Sequence, residues 1–172
     1  DDVGSLHRLP LDGCPQDIGR KRGRTNRVEF APVECVFCAI VAEEAPQFRV
    51  YADDRAVAFM DINPAVEGHT LIVPRRHSAD LWEIGEDDAA GVMAAAVRVG
   101  AMIRRALNPD GLNIVHATGR AAFQSVFHFH LHLIPRRYGD PIRPPWSLDQ
   151  RAGDRSQIRQ VAGLIAAAGS HP

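Results

Sequence analysis

The sequence is short of cysteine, of net charge and of long apolar runs, and each shortage removes a class of protein. Three cysteines in 172 residues cannot build a disulfide framework. That usage fits free thiols or metal in a reducing compartment. A formal net charge of -1 supplies no global field for nucleic acid or an anionic membrane, so any bound phosphate must be held by local donors. No apolar run approaches the ~18 residues that cross a bilayer, and no apolar stretch behind a basic start reads as a secretory signal. A cytoplasmic protein with neither membrane nor nucleic-acid partner is expected. Internal repeats and low-complexity tracts are lacking too. What remains is ordinary for a globular protein: hydrophobic residues make up 45 % of the chain, enough for one domain with a core plus a tail or two.

Residues 1–34 mix Gly, Pro, Asp and Arg without a helical or strand period. Arg20-Lys21-Arg22-Gly23-Arg24 reads either as a basic patch or as part of a solvated extension. So few apolar residues cannot offset the entropy of ordering, which favours an irregular extension. From Cys35 the pattern tightens. Cys35 to Glu44 reads as a short helix, and Arg49–Ala52 with Ala56–Met60 as a hairpin closed by Asp53-Asp54. His69–Pro74 reads as a third strand. Glu86 to Leu107 is a long amphipathic helix with acids at its start and arginines at its end, which suits the helix dipole. Leu112–Ala117 and Phe127–Pro135 read as two more strands, and Ser156–Ala168 as a last helix. Hairpin strands with helices inserted between them predict an α+β fold, an antiparallel sheet of about five strands with helices packed on it. The expected division is an extension over 1–34, a domain over 35–139 and a C-terminal extension with a short helix over 140–172.

The most informative run is His128-Phe129-His130-Leu131-His132-Leu133-Ile134. On a strand, side chains alternate faces, so the three histidines share one face while Phe129, Leu131 and Leu133 share the other. Alternate imidazoles would then lie roughly 6.5–7 Å apart, beyond direct contact but able to surround one phosphate or metal ion. Three readings stand: a surface face that happens to carry histidines, a metal site built by the strand alone, or nucleophilic and acid–base chemistry. Imidazole titrates near neutrality and can both attack and shuttle protons, which favours the third. Cys35-Val36-Phe37-Cys38 likewise reads as a metal half-site or as two buried thiols; a redox pair would need a βαβ setting that is lacking.

Taken together, these blocks resemble the histidine-triad (HIT) family. His128-Phe129-His130-Leu131-His132-Leu133 is similar to its signature of alternating His and apolar residues. Cys35–Ile40, Phe59–Pro64, Gly68–His77 and Gln124–Phe127 resemble its other blocks in order and spacing, so the likeness covers Cys35 to Tyr138. The resemblance implies a nucleotide hydrolase or nucleotidyltransferase, of the phosphoramidase or dinucleoside polyphosphate hydrolase class. It makes His130 the nucleophile at the α-phosphate, through a nucleotidyl-histidine intermediate, with His128, His132, Ser125 and His69 as further catalytic-site residues. A purine nucleotide, adenosine for choice, would contact Phe37, Phe59, Asp61, Ile62, Asn63, Gln124, Ser125, Val126, His130 and His132. Asp61 would accept bonds from the ribose hydroxyls. Phe37, Phe59 and Ile62 read equally as base contacts or core, and His69 as a support of the triad or a structural histidine.

The resemblance also implies structural zinc on Cys35, Cys38, His77 and His128, which would take His128 away from acid catalysis. It implies a homodimer that pairs long helices and extends the sheet across two chains. One departure stands out: Ala117 occupies the place of an expected phosphate-binding Asn, with His116, Thr118 and Arg120 as neighbours that offer donors, and Phe123 replaces a small residue. Two other functions fit the same residues: a nucleotide-binding module with little turnover, and a zinc-stabilised interaction protein.

Overall fold

A computed structural model describes residues 35–143 and 154–169. The basic run Arg20–Arg24 and the expected extension over 1–34 lie outside the described residues. The chain divides after Gly139 into two units, each described by itself.

In the first unit the order is α1 (Val36–Val41), β1 (Arg49–Ala52), β2 (Ala56–Met60), β3 (Thr70–Pro74), α2 (Glu86–Leu107), β4 (Gly111–Val115) and β5 (Leu131–Arg136). Among the described residues the strands form one five-stranded sheet in the order β1-β2-β3-β5-β4, every neighbouring pair antiparallel. This is the α+β antiparallel architecture expected from the sequence.

The period-2 alternation of the strands decides which face does what. Ala56 and Ala58 of β2, Ile72 of β3, and Phe129, Leu131 and Leu133 point to one side. There they meet the stripe Val92, Ala95, Ala96, Val99 and Ile103 of α2, whose 3.6-residue spacing gives it one apolar face. The intervening residues Val57, Phe59, Leu71 and Val73 point to the opposite side and pack on Phe37 and Ile40 of α1. Strand β3 is buried along its whole length, as a central strand covered on both faces should be. Gly68, at φ +83°, takes a left-handed turn before β3, and a Cβ there would overlap Leu107 at the end of α2. The positive φ favours glycine at that position, while the contact alone could be relieved by a shift of the Leu107 side-chain end.

Two boundaries differ from the sequence expectation by more than two residues. The first helix ends at Val41 rather than Glu44, because Glu43 turns left-handed at φ 63°, its amide donating to Ile40 O and the next two amides folding back on Ala39 O. The fifth strand begins at Leu131, not Phe127. Only His132 of the three histidines therefore lies on a laddered strand; His128 and His130 sit on the segment that leads into it. The partner strand β4 ends at Val115, opposite His132, so no ladder is available further back. Phe129 N–H donates instead to Ser78 O at 2.6 Å. Burial still alternates, since Phe129 lies in the α2-side core.

The second unit contains α3 (Arg155–Ala168), capped by the Asp154 side chain, which accepts from the amides of Ser156 and Gln157. Among the described residues no helix is long and apolar enough to cross a membrane.

Candidate functional site

Because Phe129, Leu131 and Leu133 face α2, the intervening histidines face the α1 side. That side carries a cavity of about 580 Å³, lined by Phe37 and Ile40 of α1, Phe59 of β2, Asp61, Ile62 and Asn63 after it, and Ser125, Val126, His130 and His132. Nine of the ten residues expected at a nucleotide thus meet around one space. The tenth, Gln124, does not line it. Its buried amide accepts from Gly119 N–H at 2.7 Å and donates to Ala79 O at 2.7 Å and Val126 O at 3.1 Å. Gln124 fixes the loop that presents Ser125.

Hydrogen bonds assign the protons on the rings. His130 Nδ1–H donates to His128 O at 2.7 Å, which leaves the Nε2 lone pair for other work. Ala65 N–H donates to His69 Nδ1 at 3.1 Å, so neutral His69 carries its proton on Nε2. That proton is donated to His132 Nδ1 at 2.9 Å, and His132 in turn keeps an Nε2–H as a free donor. His69 stands behind His132 and does not line the cavity. The ring centroids of His130 and His132 are 4.9 Å apart, closer than a regular strand would set them, so neighbouring rings do touch edge to face.

Burial keeps these rings neutral. It is the main cause of the depression of His130 and His69 below the ordinary imidazole value, and it holds His132 down to about 4. Asp61 opposes the shift at each, but desolvation prevails. Asp61 Oδ1 accepts from Asn63 N–H at 2.8 Å, which orients the carboxylate at the cavity wall.

His128 has a different setting. It is fully buried and does not line the cavity. Its Nε2–H donates to Pro74 O at 3.1 Å, and its bare Nδ1 faces Cys35 Sγ and Cys38 Sγ, each at 3.5 Å. His77 Nδ1 lies 3.3 Å from Cys38 Sγ, and the four donor atoms are all within 4.8 Å of one another. A zinc tetrahedron with bonds of about 2.3 Å to sulfur and 2.0–2.1 Å to nitrogen has S···N edges of roughly 3.5 Å. The residues present therefore fit the metal in donor type and in spacing. The bond from His128 Nε2–H to Pro74 O is the kind of outer support that would fix the ring if it held a metal. Such a centre would clamp the six-residue α1 to the ends of β3 and of the segment before β5.

His116, offered by the sequence only as a neighbouring donor, and Gln47, to which the sequence assigns no role, both contribute to the site. His116 Nδ1–H donates to His130 O at 2.9 Å while its Nε2 accepts from the Thr118 hydroxyl at 2.8 Å, so His116 is committed to holding backbone and Thr118 to holding His116. Gln47 lines the cavity near α1, its amide donating to Ile40 O at 3.3 Å. Neither carried a periodic signal: one follows the end of a strand, the other sits in a loop.

The model of the HIT domain family matches residues 42–139. An uncharacterized HIT-like protein of Mycobacterium tuberculosis is 44 % identical over 131 residues, spanning 76 % of this chain and 89 % of that protein. Among solved structures, a Zn-bound histidine triad family protein from Mycobacterium smegmatis is 39 % identical with a TM-score of 0.61, covering 78 % of this chain and 96 % of that one. A histidine triad nucleotide-binding protein from Candida albicans aligns with a TM-score of 0.70 at 27 % identity, covering 78 % and 96 % of the two chains.

Proposed function

The chain belongs to the HIT family, and on that premise we propose that it is a nucleotide hydrolase or nucleotidyltransferase acting at an α-phosphate. The observation that carries this reading is the His130 ring, whose Nδ1 is tied to a carbonyl and whose Nε2 stands unprotonated at the cavity. The nucleotide-binding relative from Candida albicans supports the substrate class.

In the proposed reaction His130 Nε2 forms a bond to the α-phosphorus as the bond to the leaving group breaks, and the departing atom keeps that electron pair. A proton reaches it from the Ser125 hydroxyl or from solvent. Water then attacks the phosphorus and gives up a proton to the Ser125 oxygen, if that oxygen lost one in the first step, or otherwise to solvent, while the electrons of the N–P bond return to Nε2. The two displacements replace one harder one. His132 Nε2–H donates to a non-bridging oxygen, held in that tautomer by the chain Ala65 N–H to His69 to His132. Asp61 receives the ribose hydroxyls, and Phe37, Phe59 and Ile62 flank a purine, with adenosine the expected nucleoside. Zinc on Cys35, Cys38, His77 and His128 would supply cross-linking rather than reaction chemistry, a role supported by the Zn-bound relative. His128 would then serve as ligand and backbone acceptor, not as an acid. Thiols kept for metal fit a reducing, cytoplasmic setting.

The test is release of AMP from an adenosine phosphoramidate. Steady turnover is expected, with kcat/KM holding as pH falls through 6.5 and dropping only when the depressed imidazoles protonate, towards pH 4 for His132. Protonation removes the His130 lone pair, so the loss must come on the acid side. AMP binding without release would favour a nucleotide-binding module instead.

We also propose a homodimer. Strand β4 is an edge of the sheet, with Leu112, Ile114 and Val115 partly exposed. Beside it α2 exposes Met93 and Val97, the latter 69 % exposed, and Leu112 packs close to Gly100 of the same helix. Among the described residues no strand pairs with this edge, and such an edge next to an apolar helix face is a pairing surface. Sedimentation at micromolar concentration should give the mass of two chains; one chain would refute the pairing.

A further inference from the structure

The loop between β4 and β5 offers three side chains near the place where Ala117 lacks an amide. Two are committed: His116 grips His130 O, and Thr118 grips His116. The third, Arg120, lines the cavity together with Ser125, His130 and His132. Its guanidinium rests 5.3 Å from the centre of the Phe127 ring, a cation–π seat that restricts its rotamers without neutralising it. Among the described residues it pairs with no carboxylate, whereas Arg49, Arg76 and Arg98 each have an acidic partner. The one carboxylate at the cavity wall, Asp61, is turned to the strand end that follows β2.

The loop is built to hold this cation in place. Arg120 begins a single 3₁₀ turn between Gly119 at φ 78° and Phe123 at φ 68°. A bulky residue in the left-handed region is strained, and Phe123 is 92 % exposed, so core packing does not explain it. The turn is closed by the amides of Ala122 and Gln124 on Gly119 O and of Phe123 on Arg120 O, and the buried Gln124 side chain holds Gly119 N–H from inside the loop.

On the reading of this cavity as a nucleotide site, we propose that Arg120 is a leaving-group specificity residue, favouring nucleotides whose α-phosphate is joined to a further anionic group over those joined to an uncharged amine. The α-phosphate already has the His132 Nε2–H and the Ser125 hydroxyl on its side of the cavity. A long guanidinium at the exposed rim of the same loop reaches the next group out. An arginine there offers paired donors to a phosphoryl or carboxylate group. It offers an amine nothing but repulsion of any positive charge.

The experiment compares two substrates sharing adenosine and its α-phosphate: a diadenosine polyphosphate and a phosphoramidate of an uncharged amine. Arg120→Gln should lower kcat/KM for the polyphosphate about tenfold or more while changing the phosphoramidate less than about threefold. Arg120→Lys should recover part of the loss, and added salt should narrow the wild-type preference. Equal losses on both substrates, or no loss on either, would overturn the assignment. A binding arm separates this claim from the nucleophilic chemistry. By calorimetry, wild type should bind ADP more tightly than AMP, and Arg120→Gln should erase the difference. If no substrate turns over, that arm still decides: a preserved ADP advantage in Arg120→Gln refutes the proposal.

Discussion

Replacing His130 by alanine should lower kcat/KM by on the order of 10⁴-fold or more, the scale seen when a covalent nucleophile is removed from an otherwise intact site. Nucleotide affinity should change far less. The ring contributes one wall of the cavity, whereas Phe37, Phe59, Asp61 and Val126 remain to hold base and sugar. Stability should fall modestly, because His130 is buried against the edge of Phe37, at 5.3 Å between ring centres, and against His132. An unchanged rate would mean that the reaction has no need of this imidazole. A rate and an affinity that fell together would point to collapse of the cavity instead. Titration with AMP, run beside the kinetics, tells these outcomes apart.

The second large effect is expected at the sulfur–nitrogen cluster. The double change Cys35→Ser, Cys38→Ser should abolish bound zinc and cost on the order of 4 kcal/mol or more of stability, equivalent to a Tm lower by roughly 10 °C. The reasoning is geometric. Helix α1 has six residues and no side-chain cap, too short to persist on its own propensity. Its apolar contacts are Phe37 and Ile40 against one sheet face, and a metal would fix its first turn to His77 and His128. Activity should fall about ten- to a hundredfold as well, by the outer-support logic of metal sites applied in reverse. His128 O is the acceptor that sets the His130 tautomer, and it belongs to a residue proposed to hold the metal. Metal analysis, thermal melts and kinetics on one preparation check all three. A purified wild type without zinc that melts and turns over like the double variant would leave Cys35 and Cys38 as two half-buried free thiols.

Much of this was legible in the sequence because period 2 and period 3.6 are local properties. The α2 stripe, the hairpin around Asp53-Asp54 and the apolar β3 were read within a residue or two of their observed bounds. The alternation at 128–133 told correctly which side chains enter the α2-side core. The order of the strands was not legible, since pairing of β3 with β5 joins segments about sixty residues apart. Nor was the true start of β5. Phe129 finds its backbone partner in Ser78 rather than in a neighbouring strand, and no local pattern announces a long-range amide bond. The ring tautomers depended on Ala65 N–H and on the carbonyls of His128 and Pro74, groups that every residue carries and that only the fold selects. Gln124 shows the same limit from the other side: its place in a family block is plain in the sequence, but its amide turns inward to brace a loop.

The central claim is a covalent bond between His130 Nε2 and phosphorus, and rapid-quench mass spectrometry under neutral conditions tests it most directly. Wild-type protein mixed with an adenosine phosphoramidate should gain the mass of one adenylyl group within a single turnover. Peptide mapping should place that group on His130 and nowhere else. Turnover without any adduct at the shortest mixing times, or an adduct that persists in His130→Ala, would contradict it.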